Sequence, residues 1–402
     1  MQPLSKVISE GGCIETCPHK EVPMFSVILY YVTFAITIFI TWIYQQQRCN
    51  YAKGPASSSH IQNSSLKSLF YEGTYIWLLL IVFIPVIILG FRYGIGTDYF
   101  NYHDYYDRAR SLGLASIMQT EPLFLLVSYL GSLIAQDYYG MLLIVAFLTM
   151  YLMVLGLNRF RDDFSLPMAM LVYLALLYGP SFNIIRQTLA VSVIMLAFRY
   201  LEKRRFYAYA ITVLVATLFH TSAIICLPLY FINVPKAAAL SRTKKLIIVA
   251  VILALPFMYL MTTTILSHIS YFAGYFKVYD FFNYTPRWGA LLVQVPVLIP
   301  VLFLRKQLAE RHEIYDFYIF LFLLEFVAIY YGFYMIWAFR LMYYFFIAQI
   351  ILIPATLEVL KEKSMRLGLQ IYYSYYYIGY FFFTYYMSHS DAIFPYMSIF
   401  NQ

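Results

Sequence analysis

A chain of 402 residues that is 62% hydrophobic, 20% aromatic and only 12% charged carries more apolar surface than a water-soluble core of that length can bury, so the bilayer is its solvent. Its net charge of +8 would suggest nucleic acid in a soluble protein, but Lys and Arg gather here in short clusters between apolar runs. That pattern encodes topology and removes nucleic acid as a partner. Cys13, Cys17, Cys49 and Cys226 are too few for a disulfide framework.

Residues 1–23 are polar, with acidic and basic side chains in balance. Cys13-x-x-x-Cys17-Pro-His19 has only a faint resemblance to a metal site and lacks a second ligand pair. Without a small-residue cleavage site, the apolar run from Met24 reads as a first span and not a signal peptide. A helix crossing the hydrocarbon needs about 17–25 residues. Suitable runs lie at 24–44, 75–91, 138–157, 164–180, 181–201, 206–220, 221–234, 245–266, 288–304, 314–334, 338–360 and 367–387. The fold predicted is an all-α polytopic transmembrane bundle with about 12 crossings. Segments 206–220 and 221–234 are short and read as a hairpin joined at Phe219 to Ser222. A further segment, 121–136, opens on Glu121-Pro122, a normal helix start.

The basic clusters Arg48 to Lys67, Arg159 to Arg161, Arg199 to Arg205, Lys236 to Lys245, Arg305 to Arg311 and Lys361 to Arg366 hold most of the 28 Lys and Arg. By the positive-inside rule they are cytoplasmic. The assignment closes only if 121–136 lies at the outer interface or re-enters. A single transmembrane domain, 24–387, then sits between an external N-terminal segment 1–23 and an external C-terminal tail 388–402.

This topology gathers chemistry at the outer face. Arg92, Asp98, Tyr102, His103, Glu121, Arg186, Gln187, His220, Arg287, Arg340 and Tyr343 converge there. Arginines at helix ends suit a fixed anion, because a guanidinium stays charged and bonds phosphate oxygens in pairs; headgroup snorkelling and structural ion pairs are the alternatives. Asp98 follows Gly94-x-Gly96-Thr97, which permits a sharp turn. It is open to four roles: general base on an acceptor hydroxyl, metal ligand, partner of Arg92, or a turn-capping residue. His220 at the hairpin apex is either a base towards a sugar hydroxyl or a packing residue. Of the two candidate bases the sequence favours Asp98, beside Arg92. Glu325 lies in mid-span and either functions or pairs with a neighbouring helix. The aromatic stretch 267–288 is an interfacial belt or a sugar-stacking wall. No nucleotide-binding loop, zinc-protease motif or nucleophile elbow occurs, so a donor activated on its own lipid fits best.

The order Arg92-Tyr-Gly94-x-Gly96-x-Asp98-x-x-x-Tyr102, Glu121-Pro-x-Phe124, Asn183-x-x-Arg186-Gln187-x-x-Ala190 and Phe219-His220-x-Ser222-Ala223 resembles the EpsG family of bacterial polysaccharide polymerases, similar in role to Wzy proteins. The resemblance runs from about residue 24 to 360, with its motifs within 92–223. It implies a GT-C-like membrane glycosyltransferase in the bacterial cytoplasmic (inner) membrane, with its site facing outward. The enzyme would join repeat units carried on undecaprenyl pyrophosphate, for capsule, exopolysaccharide or O-antigen. On that reading Asp98, His220 and Arg186 are catalytic, and Arg92, Tyr102, His103, Glu121, Gln187, Arg287, Arg340 and Tyr343 bind substrate. No soluble cofactor is required, and a divalent cation bridging Asp98 and the pyrophosphate is left open. A flippase and a chain-length regulator are candidate partners. A ligase moving a finished glycan to another acceptor would share the donor site. A transporter would use Glu325 and the central arginines, but inverted repeats with paired broken helices are not detected.

The topology is open to single-cysteine labelling. A cysteine at position 103 is expected to react with an impermeant reagent in intact cells, and one at position 204 only after the membrane is opened. Labelling of position 204 from outside would overturn the orientation.

Overall fold

The computed structural model describes residues 24–53, 64–113, 115, 121–135, 137–232, 288–333 and 336–401. Segment 1–23 with Cys13 and Cys17, the cluster Lys236 to Lys245, the run 245–266, and the aromatic stretch 267–287 with Arg287 lie outside the described residues.

Among the described residues the chain is helical, apart from one isolated antiparallel bridge between Arg92 and Ser398. The first half contains α1 (Met24–Lys53), α2 (Ser64–Gly90), α3 (Tyr99–Leu112), α4 (Pro122–Ile134), α5 (Tyr139–Asn158), α6 (Leu166–Tyr173), α7 (Pro180–Asn183), α8 (Ile185–Glu202), α9 (Phe206–Phe219) and α10 (Leu229–Ile232). The second contains α11 (Trp288–Leu292), α12 (Val295–Phe303), α13 (Arg305–Arg311), α14 (Ile314–Tyr331), α15 (Ile336–Arg340), α16 (Met342–Val359) and α17 (Lys363–Phe381). Among the described residues five helical stretches are long and apolar enough to cross a membrane: Met24–Arg48, Gly73–Gly90, Tyr139–Asn158, Ile314–Tyr331 and Ala338–Val359. A sixth results if Trp288–Phe303 and Arg305–Arg311, bent by 60°, form one span.

Other expected spans are shorter apolar helices, at Leu166–Tyr178, Phe206–Phe219 and Thr221–Ile232. At 1.5 Å per residue such a helix reaches about 20 Å, short of the roughly 30 Å of hydrocarbon. The hairpin breaks at His220, whose extended backbone (φ −155°, ψ 121°) ends α9 and starts a 3-10 turn, Thr221–Cys226.

The sides of the bundle that meet lipid are apolar. On α1, Phe25, Ile28, Val32 and Phe39 are exposed, while Thr33, Thr37 and Thr41 turn inward and donate to carbonyls one turn back at 2.7–2.8 Å. No polar group of these threonines is then left unmatched in an apolar medium. Helix α2 packs on α5, α5 on α8, and α8 on α9, while α16 lies between α14 and α6. Helix α16 is buried along nearly its whole length.

Between α6 and α8 the helix is broken twice. Residues Leu174–Tyr178 form a π-helical turn, and at Ile184, whose dihedrals (φ −93°, ψ 55°) are not helical, α7 ends and α8 begins. Each break frees backbone carbonyls that must find donors. Ser181 Oγ donates to Leu177 O at 2.7 Å, Tyr385 OH reaches Leu176 O at 3.5 Å, and the buried Arg92 guanidinium donates to Phe182 O at 3.2 Å and to Leu89 O.

The residues after α17 fold back over α1 and α2. Tyr30 OH donates to Ile393 O (2.9 Å), Tyr396 N to Ser26 Oγ (3.0 Å), Tyr93 N to Met397 O (2.9 Å) and Ile399 N to Phe91 O (3.0 Å). Tyr30 is the hub, with the rings of Tyr178, Phe182, Phe381, Phe394 and Tyr396 within 6.4 Å.

Two glycines shape the turn after α2. Gly94 (φ +61°) has nothing within 4 Å of where a Cβ would sit, whereas a Cβ on Gly96 (φ +97°) would lie 2.3 Å from Phe182 O. Gly94→Ala is expected to cost about 1–2 kcal/mol, the left-handed penalty alone. Gly96→Ala adds a clash with backbone that Arg92 holds in place, and its loss of thermal stability in detergent should be clearly the larger. Equal losses would show that the Gly96 approach to Phe182 is not tight.

Candidate active site

Three separate chain segments deliver titratable side chains to one point. Glu121 precedes α4, Arg186 lies in the first turn of α8, and His220 ends α9. Glu121 Oε1 lies 2.7 Å from His220 Nδ1 and accepts from Thr221 N at 3.2 Å, while its Oε2 accepts from Arg186 Nη1. The carboxylate side chain is 6% exposed, against about a fifth for its two partners. Glu121 also sits in the left-handed region (φ 59°, ψ 59°), a conformation that costs a non-glycine residue about 1–2 kcal/mol. Such strain persists only where surroundings over-determine it, as at functional sites.

Rings surround the Arg186 guanidinium. Its Cζ lies 5.5 Å from the Tyr102 centroid, 4.8 Å from Tyr105 and 5.8 Å from Phe124, and Nη1 also reaches Tyr105 OH at 3.4 Å. The negative ring faces favour the cation. Burial by itself would raise the Glu121 carboxyl, but the His220 hydrogen bond, the Arg186 charge and the Thr221 N–H outweigh it and hold the group below the usual carboxylate range. Burial raises the Tyr102 phenol, against the pull of the nearby Arg186 and Arg340 charges.

Asn183 organises the adjoining region. Its Oδ1 accepts from Thr97 Oγ1 (2.7 Å) and from the Asp98 N–H (3.0 Å), and its Nδ2 donates to Asp391 Oδ1 (2.8 Å). One amide thus ties the glycine turn, the break before α8 and the C-terminal segment. Thr97, Asn183 and Asp391 line a cavity of about 780 Å³ that also receives Arg340, Tyr343, Tyr380, Tyr385 and His389. Gln187 Nε2 donates to Arg340 O at 2.6 Å, linking α8 to the far wall.

The structure therefore joins Glu121, Arg186, His220 and Tyr102 directly, and puts Arg340 and Tyr343 in the neighbouring cavity. Asp98 is held near it by its backbone, and its carboxylate accepts from Asn101 Nδ2 at 3.3 Å. Arg92 is 1% exposed, stacked 5.4 Å from the Phe182 ring and bound to carbonyl oxygens. His103 is turned to Asp107 (3.1 Å) and the rings of Tyr106 and Tyr138. Glu325 is enclosed in the core, where Gln349 Nε2 lies 2.8 Å from both its oxygens and 2.9 Å from Gln294 Oε1, so it pairs with a neighbouring helix. Among the described residues no group of three or more His, Cys, Asp or Glu could hold a metal ion. Asp391 and Tyr105 escaped the sequence reading. Tyr105 stands one helical step from Tyr102, which was a usable signal; Asp391 had none.

A family model described as EpsG matches residues 75–398, most of the chain. No curated protein and no solved structure matches it.

Glu121→Gln keeps the size but leaves Arg186 without its counter-charge, and should cost on the order of 3 kcal/mol of stability, as breaking a buried pair does. Because the folded carboxyl is depressed, its contribution is fully present above the ordinary glutamate range and is lost as pH falls through the depressed value. Thermal denaturation from pH 7 down to pH 3 should show a wild-type advantage over Glu121→Gln that shrinks only at the acid end. A constant difference would remove the linkage.

Proposed function

The chain belongs to the EpsG family, and on that premise we propose that it is a membrane glycosyltransferase polymerising undecaprenyl-pyrophosphate-linked oligosaccharide repeat units at the outer face of the bacterial cytoplasmic membrane. The product would be capsule, exopolysaccharide or O-antigen. A flippase would deliver the units and a chain-length regulator would limit the polymer.

The observation that carries this reading is the Glu121–Arg186–His220 cluster. A carboxylate on Nδ1 orients a histidine and fixes the tautomer, so that Nε2 carries the free lone pair. That nitrogen has no protein partner among the described residues. It is available to accept the proton of an acceptor hydroxyl as the hydroxyl oxygen bonds to the anomeric carbon. The bond from that carbon to the phosphate oxygen breaks, and charge builds on the leaving pyrophosphate, where fixed positive charge is most effective. Arg186 would supply that charge beside the base, with Glu121 positioning both. This geometry favours His220 over Asp98 as base, since the Asp98 carboxylate bonds only Asn101 among the described residues. It favours an enzyme over a transporter, whose Glu325 would have to face a path.

Purified protein given a synthetic undecaprenyl-pyrophosphate repeat unit should yield a ladder spaced by one unit, and absence of any ladder would reject the polymerase. In single-turnover transfer His220→Gln should lose roughly a hundred- to ten-thousandfold in rate. Asp98→Asn should keep most of the wild-type rate, and the opposite pattern would move the base to Asp98. Arg186→Lys keeps the charge but loses the planar fork, and should fall well below wild type.

A further inference from the structure

Gln187 follows Arg186 and Ser222 lies just beyond His220, so each neighbours one partner of Glu121, and both are gripped by the same stretch of helix. Gln187 Nε2 donates to Arg340 O at 2.6 Å, and Ser222 Oγ lies 2.9 Å from Tyr344 OH. Arg340 and Tyr344 stand one turn apart near the start of the helical stretch Ala338–Val359. Helix α16 is buried along nearly its whole length and Tyr344 is fully buried, so close packing makes this turn a fixed point.

Glu121 meets His220 with one carboxylate oxygen and Arg186 with the other. The first turn of α8 and the end of α9 must therefore be spaced to the width of a single carboxylate. Gln187 registers α8 on Arg340 O, and Ser222 registers the hairpin joint on Tyr344 OH. Both registers refer to one turn of one helix.

The joint depends on such outside contacts. Residues Thr221–Cys226 form a 3-10 turn, whose hydrogen bonds are less well aligned than those of an α-helix. Its far end is held by Tyr209 OH, which donates to Cys226 O. Its near end meets Glu121 through the Thr221 N–H at 3.2 Å and Tyr344 through Ser222. Without the phenol hydroxyl Ser222 loses this bond, and the joint is free to carry the His220 ring away from Glu121.

We propose that Tyr344 is a positioning residue, which through Ser222 holds the His220 ring with Nδ1 on Glu121 and Nε2 turned to the acceptor hydroxyl. That this serves catalysis rests on the glycosyltransferase reading; the placing of the ring does not. Tyr344 acts through the turn and not on a reacting atom.

The test uses the full-length protein in detergent, carrying isotope-labelled histidine. The His220 ring is identified by the nitrogen resonances that His220→Gln lacks. In alkaline buffer, where an ordinary imidazole is neutral, wild type should show a proton on Nδ1 and a lone pair on Nε2. Tyr344→Phe keeps the ring and removes only the hydroxyl, and should convert this single form into a mixture of tautomers. In polymerisation of the synthetic lipid-linked repeat unit its kcat should fall roughly tenfold, with KM within about twofold of wild type. Ser222→Ala should do the same, and Ser222→Thr, which retains the hydroxyl, should restore both readouts. The double variant Tyr344→Phe with Ser222→Ala should be no worse than either single one, because each removes the same interaction. Tyr31→Phe removes a phenol bond of similar length, to Ile378 O at 3.0 Å, and should move neither readout.

A His220 signal unchanged in Tyr344→Phe, one moved equally by Tyr31→Phe, or a wild-type ring without the Nδ1 proton overturns the proposal whatever the rate does. A mixture in Tyr344→Phe when wild type makes no polymer supports the positioning and rejects the polymerase. A mixture at undiminished rate supports the positioning and removes His220 as the base. If the thermal midpoint shows that Tyr344→Phe does not fold, Ser222→Ala carries the same comparison.

Discussion

A helix broken inside an apolar bundle must find donors for the carbonyls it frees, because lipid and hydrocarbon side chains supply none. The chain breaks α6–α8 at the π-helical turn and again at Ile184. Much of what surrounds those breaks answers that need. Arg92 is buried where Phe182 O needs a donor, Tyr385 reaches Leu176 O, and Gly96 lacks a side chain because Phe182 O occupies the space. An arginine so used is held by geometry as firmly as by charge, since its planar donors meet carbonyls in two helices at once.

The second break has a positive side. By ending α7 at Asn183, the chain starts α8 afresh, so that Arg186 falls in its first turn beside Glu121 and His220. An uninterrupted helix would have bonded those backbone groups internally and pointed Asn183 and Arg186 along one continuous face. The break instead lets Asn183 hold three segments while Arg186 faces its ring cage. Electrostatics follows from this arrangement. One carboxylate shared between an arginine and a histidine keeps the cluster near neutral, which a partly buried site at a membrane surface tolerates better than net charge.

Hydropathy and charge in the sequence are enough to reveal an all-helical membrane protein, because apolar runs of the right length have few other uses. They also single out Glu121, Arg186 and His220, since a titratable group at the edge of an apolar run stands out locally. What the sequence cannot display is a partner far along the chain. Asp391 lies in a short polar run with no pattern, and its bond to Asn183 spans 208 residues. The helices meeting at His220 were legible as short apolar segments joined in a hairpin; what no local pattern displayed is that the ring at that joint meets Glu121, 99 residues away. Arg92 was legible as a cation at an interface; that its donors go to Leu89 and Phe182 carbonyls follows from the broken helix, which no local signal announces.

The closure of the C-terminal segment on Tyr30 has a consequence in time. The bond from Tyr30 to Ile393 joins residues 363 positions apart, and at 5–20 residues per second the ribosome needs roughly 20–70 seconds to make that interval. Until it ends, the ends of α1 and α2 that the C-terminal segment covers are unclosed, and the wall that Asp391 contributes does not exist. The Glu121–Arg186–His220 cluster is therefore complete in sequence well before the cavity lined by the C-terminal turn is. Biosynthesis thus imposes an order on the molecule, in which the C-terminal wall of the cavity is the last part to be acquired.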